Sequence, residues 1–169
     1  MKKLALALAT VAPLALAGTA SAKDMKGRFG VGGQLDTNGA AGLSLKYWVS
    51  DLGFQGILGY QMVGESGTDT KDNTSEFDVT LRILYNIARA NDTNLYAGAG
   101  VTLGLYGGGD AVPDRDASVF VDLVLGVEHY FTDYFSVAGQ VGLHIDTGDQ
   151  FRLAIGNVSS WGTAFHFYF

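Results

Sequence analysis

Cysteine is absent from all 169 residues. That excludes disulfides and thiolate chemistry, and with them a lipid-modified cysteine following a leader. Proline is nearly absent as well, with two residues in the chain and only Pro113 beyond residue 22. Basic residues are scarce: 11 Lys and Arg stand against 17 Asp and Glu, a net charge of −6. Lys2 and Lys3 are the only charges among the first 22 residues, so the remainder carries 9 basic and 17 acidic residues, or −8. Such a balance argues against a nucleic-acid partner. Finally, no stretch after Ala22 approaches the roughly 18 consecutive apolar residues of a membrane-spanning helix. Yet the chain is 47% hydrophobic and holds 24 glycines, an unusual mixture for a helical protein of any kind.

The opening MKKLALALATVAPLALAGTASA has a different character. Lys2 and Lys3 form a positive start, Leu4 to Ala17 a short apolar core, and Ala20-Ser21-Ala22 a small-residue cleavage site. This is the pattern of a secretory signal peptide. Residues 1–22 are expected to be removed, leaving one domain over residues 23–169.

What the rest of the chain has is alternation. Eight segments place apolar residues at every second position, a strand signal: Arg28–Leu35, Gly42–Val49, Gly53–Val63, Glu76–Asn86, Asn94–Tyr106, Ser118–Glu128, Tyr134–Asp146 and Trp161–Phe169. Their apolar faces hold 40 residues and no charge, where a chain that is 17% charged would place roughly seven by chance. A lysine or arginine at mid-membrane on a lipid-facing strand costs about 2–4 kcal/mol, which gives such an exclusion a physical cause. The opposite faces carry Lys46, Gln55, Asp78, Arg82, Asp122, Glu128, Gln140 and His166 among Gly, Ala, Ser and Thr. Phe151, Leu153 and Ile155 continue the phase of the last segment, so that strand is expected to extend outward as a hairpin with the seventh, placing Arg152 near Asp146.

The connections alternate too. Those at Ser50-Asp51, Ala88 to Asp92 and Thr132-Asp133 are tight; GESGTDTKDNTS and GGGDAVPDRDA are long and polar. Short turns at one end and long loops at the other predict an all-β fold, an eight-stranded antiparallel up-and-down transmembrane β-barrel. A soluble barrel would alternate equally, with its apolar face inward. Two features separate them. The polar faces are rich in Gly and Ala, which suits a narrow interior. Aromatics gather at the short-turn end, where Phe29, Tyr47, Trp48, Tyr85, Tyr130, Tyr134, Phe167 and Phe169 are read as a membrane-interface girdle.

The signal peptide, the eight segments, the YWVSDLGFQGILGY hairpin and the terminal WGTAFHFYF together resemble the OmpA-like outer-membrane barrel family in its small, barrel-only form. The resemblance implies a monomer in the outer membrane of a Gram-negative-type bacterium, among outer-membrane lipids and lipopolysaccharide. Trp161, Phe165, Phe167 and Phe169 resemble the signal read by the outer-membrane assembly machinery, with periplasmic chaperones as escorts. The family's peptidoglycan-binding domain is not expected here. On activity the resemblance is weak, since members are structural proteins, adhesins or enzymes.

An eight-stranded barrel is filled by its own side chains. The inward charges nearly balance, so Arg28, Lys46, Asp78, Arg82, Asp122 and Glu128 are expected to form a buried ion-pair network that plugs the lumen, read as filling in preference to a gate. The His-x-Ser pair of the family's lipid A deacylases is missing at His129, His144 and His166. His144 and Asp146 share an inward face, away from any acyl chain, and His129 belongs to the periplasmic interface. The glycine clusters at Gly30-x-Gly32-Gly33 and Gly98-x-Gly100 lack a nucleotide fingerprint. The acidic loop residues, Glu65, Asp69, Asp72, Asp110, Asp114, Asp116 and Asp149 among them, read as solvated surface before a cation bridge to lipopolysaccharide phosphates. The sequence thus points to a non-enzymatic barrel without cofactor or metal, in a structural role or binding an extracellular ligand through its loops. A narrow channel and a lipid A-modifying enzyme remain as alternatives.

Overall fold

The computed structural model describes residues 25–36, 41–63, 74–107, 117–146, 152–155 and 162–169. The strands are β1 (Phe29–Asp36), β2 (Ala41–Val49), β3 (Leu52–Val63), β4 (Thr74–Ala90), β5 (Thr93–Gly107), β6 (Ala117–Tyr130), β7 (Phe135–Asp146), β8 (Arg152–Ile155) and β9 (Gly162–Tyr168). β1 to β7 each pair antiparallel with the next, β7 pairs also with β8 and β9, and β9 closes against β1, so the wall is a closed ring. No helix occurs among the described residues.

β8 and β9 both pair with the edge of β7 that faces away from β6. They form one wall strand in two pieces, so the barrel is eight-stranded. Gly162 pairs with Gln140 and Ile155 with Leu143. Ile155 and Gly162 are seven positions apart in the chain and their partners Leu143 and Gln140 three, a difference of four. An even surplus keeps the inward and outward alternation in phase across the break. Leu153 and Ile155 pair with Ile145 and Leu143, and Arg152 with Asp146, the backbone register expected for the hairpin.

Closure extends to the last residue. The Phe169 amide donates to the Phe29 carbonyl at 2.9 Å, and the Phe29 amide to the Phe169 carbonyl at 3.3 Å. A terminal strand bonded in this way leaves no open edge. At the same end, the turns between β2 and β3 and between β4 and β5 each hold two residues, and Ser50 and Asn91 take left-handed φ values of 62° and 37°. Arg89 braces this end, its Nη2 lying 2.7 Å from Asp51 Oδ1 and donating to the Ser50 carbonyl at 2.8 Å.

The two faces of the wall are sorted as the alternation requires. No described outward side chain of the eight apolar faces is buried, whereas Lys46, Gln55, Arg82, Asp122, Glu128, Gln140 and His166 are. Three inward aromatics fit because each lies over a glycine directly opposite on the next strand: Trp48 over Gly53, Tyr96 over Gly126 and Tyr168 over Gly30. A Cβ at Gly30 would come within 2.6 Å of the Tyr168 ring, and one at Gly53 within 2.6 Å of Trp48. The glycines of the polar faces therefore make room for large rings.

Candidate functional site

The barrel interior concentrates the polar chemistry, and Glu128 on β6 is its hub. Its Oε2 lies 3.2 Å from Lys46 Nζ, with the two side chains 0% and 1% exposed. Its Oε1 accepts from Ser136 Oγ at 2.6 Å and from Tyr168 Oη at 2.9 Å. Lys46 Nζ also stands 5.1 Å from the Tyr96 ring centre, a cation–π distance. On the β9 side His166 Nδ1 faces Glu128 Oε1 at 3.7 Å, too long for a hydrogen bond, while Nε2 is 2.8 Å from Ser44 Oγ. Gln55 Nε2 donates to the same Ser44 Oγ at 2.9 Å.

A second cluster lies on β4, β5 and β6. Arg82 Nη2 is 3.7 Å from Asp122 Oδ2, and that oxygen accepts from Thr102 Oγ1 at 2.6 Å. Thr102 shares a further hydrogen bond of 2.7 Å with Thr80. In both clusters, partners two strands apart meet across an intervening glycine. Arg82 and Asp122 are each in register with Gly100, and Ser44 and His166 each with Gly32. With no side chain in the middle position, the flanking ones reach each other.

An apolar and aromatic cluster gathers toward the short-turn end: Met25, Trp48, Tyr130 and Tyr168 are buried together with Leu84, Tyr96 and Val124. Trp48 Nε1 donates to Tyr168 Oη at 3.4 Å, which joins this layer to Glu128.

Two expectations need correction here. Trp48 and Tyr130, read as interface aromatics, are 0% and 1% exposed and point into the barrel. They sit near strand ends, but their inward parity governs. Arg28 is not in the buried network. It precedes β1, donates from Nη1 to the Asp133 carbonyl at 2.7 Å, and lies 5.8 Å from the Tyr134 ring centre. Asp78 is half-buried on β4, in register with Gly59 and Gly104. Phe29, Tyr47, Tyr85, Tyr134, Phe167 and Phe169 are exposed on the outside, Phe169 at 78%. Phe165 is exposed there as well, and a run of ring contacts links His129, Phe131, Phe135, Phe167 and Phe165. Trp161, most of the acidic loop residues and the side chains of His144 and Asp146 lie outside the described residues.

Sequence reasoning missed Ser44, Ser136, Tyr96 and Tyr168 as members of the interior network. All four have inward parity: counting by twos from Lys46, His166 and Gln140 reaches Ser44, Tyr168 and Ser136 on the same strands, and Tyr96 alternates with the outward Leu95 and Ala97 of β5.

Ser44, His166 and Glu128 follow the order of a nucleophile, a base and an acid. Ser44 is fully buried and Glu128 Oε1 is held by Ser136 and Tyr168, so an incoming carbonyl has no approach to the hydroxyl. Among the described residues no three His, Asp or Glu side chains could together hold a metal ion.

No protein-family model matches the chain, and no curated protein sequence does. Among solved structures, the N-terminal β-barrel domain of Pseudomonas aeruginosa OprF aligns with a TM-score of 0.52 at 15% identity, over 84% of this chain and 96% of that domain. The two share one fold. That domain is OmpA-like, so the likeness read from the sequence holds at the level of architecture. Neisserial surface protein A (NspA) aligns with a TM-score of 0.47 at 13% identity, over 83% of this chain and 89% of that one.

Proposed function

We propose that the chain is a small integral outer-membrane barrel protein, exported by a cleaved leader, with a structural or surface-contact role. One observation carries this reading: every described residue on the apolar side of the wall is exposed or partly exposed, while Lys46, Arg82, Asp122 and Glu128 on the other side are buried. A water-soluble protein rarely leaves an apolar surface wider than a few hundred Å² uncovered, whereas acyl chains cover such a surface at no cost. The fold shared with the OprF domain supports the same location. In this reading Phe165, Phe167 and Phe169 are offered to the outer-membrane assembly machinery after escort by periplasmic chaperones. The long connections meet lipopolysaccharide or an extracellular ligand, and the barrel stands as a monomer.

The interior supports a plugged lumen. Lys46–Glu128 and Arg82–Asp122 fill it at two places, and Met25, Trp48, Tyr130 and Tyr168 pack near one mouth. A steady channel is the weaker reading for that reason, and the buried Ser44 hydroxyl makes an enzyme weaker still. Reconstitution tests the proposal. The mature chain folded in lipid vesicles should run at different mobilities on a denaturing gel before and after boiling, and should give no steady conductance across a planar bilayer. A strain lacking the protein should lose resistance to detergent. Folded chain recovered from the periplasm without detergent would overturn the location, and sustained single-channel steps would overturn the plug.

A further inference from the structure

The outer wall is not uniformly filled. A groove of about 850 Å³ runs across it from β1 to β6, within the size range of small-ligand sites. Gly56 on β3 and Ala99 on β5 are small residues of its lining, on either side of β4, whose Leu81 and Ile83 line it together with Leu45, Phe54 and Val101. Its lining is almost wholly apolar.

Gly56 is unlike most glycines of this wall. A Cβ at Gly100 would strike the Arg82 side chain and the Leu81 carbonyl, and one at Gly98 would come within 2.5 Å of Leu84. Those positions must be glycine for the barrel to close around its contents. A Cβ at Gly56 would meet only Leu81 Cδ2, at 3.9 Å, an ordinary contact. Packing therefore does not demand glycine there, and its bare backbone opens a hollow that a larger residue would fill.

We propose that this groove seats one acyl chain of a phospholipid, held longer than the lipid around the rest of the wall. The inference rests on the membrane reading above. Three features select the occupant. The groove is continuous with the apolar belt that this reading places in the hydrocarbon. It includes Phe29 and Tyr47 near the short-turn end, the periplasmic side, where the facing leaflet is phospholipid. A second barrel is a poor fit, because two convex walls meet along a line, whereas a stable protein interface buries about 800 Å² on each partner.

The test is native mass spectrometry of the mature chain folded in palmitoyl-oleoyl phosphatidylethanolamine–phosphatidylglycerol vesicles and transferred to mild detergent. The wild type should retain one phospholipid. Gly56→Phe should reduce that adduct about tenfold, the effect of losing some two buried methylenes. Ala99→Leu should reduce it too, which keeps the test open if the first variant folds poorly. Gly139→Phe should leave it unchanged: Gly139 is an outward position on β7 where a Cβ would also meet open space. Equal adducts in the wild type and in a folded Gly56→Phe or Ala99→Leu would overturn the proposal, as would a dimer that Gly56→Phe abolishes. A wild type that inserts in vesicles yet carries no lipid sinks the groove alone. A wild type that never inserts sinks the membrane reading beneath it.

Discussion

Replacing Glu128 with alanine is expected to destabilise the folded barrel by about 3–5 kcal/mol, the usual effect of stranding one partner of a buried ion pair. The substitution leaves Lys46 with its ammonium almost wholly out of water and, among the described residues, the Tyr96 ring at 5.1 Å as its remaining compensation. Ser136 and Tyr168 lose the acceptor of their short hydrogen bonds at the same time. The measurement is the urea midpoint of the barrel in vesicles, followed by its heat-dependent gel mobility. The double variant Lys46→Met with Glu128→Gln should recover most of the loss, because removing both charges leaves neither stranded. If Glu128→Ala unfolds at the wild-type midpoint, the interior does not depend on this pair.

The second large effect concerns the other side of the wall. Leu81 lies near the middle of β4, is 67% exposed, and is followed by the buried Arg82. Leu81→Arg should cost about 2–4 kcal/mol in a bilayer, since a guanidinium there faces hydrocarbon. On a water-soluble barrel the same exposed substitution would change stability by no more than about 0.5 kcal/mol. Unfolding of the two proteins side by side therefore separates the membrane wall from a soluble one. A midpoint within error of wild type would count against hydrocarbon at that position.

Most of the wall was legible in the sequence because alternation with period two sorts each strand into an apolar outward face and a polar inward one. Glu76–Asn86 was recognised and then found to run on to Ala90, because the register shifts between Asn86 and Ala88 and the sequence pattern loses phase there. Trp48 and Tyr130 lie close to strand ends, which suggests an interface, but each stands two positions beyond an inward residue, Lys46 or Glu128, so parity places it inside. The partners within the lumen were less legible. Nothing local in the sequence brings Ser44 to His166, which are 122 positions apart. The meeting requires knowing that β1 lies between β2 and β9 and that Gly32 occupies the shared row. Once register is known, an inward glycine flanked by two polar residues marks such a contact, as Gly100 does for Arg82 and Asp122. Arg28 failed for a simpler reason: it stands before β1 begins, where the alternation no longer binds the side chain to a face.

Because the chain has no native cysteine, single cysteines can be placed one at a time along β6 from Val119 to Val127 and spin-labelled in vesicles. Collision with oxygen, which concentrates in the bilayer, should then peak at residues 119, 121, 123, 125 and 127 and fall at the even positions between them. Peaks at the even positions, or a flat profile in which water-soluble relaxants reach the odd ones equally well, would contradict a wall that turns its apolar side to lipid.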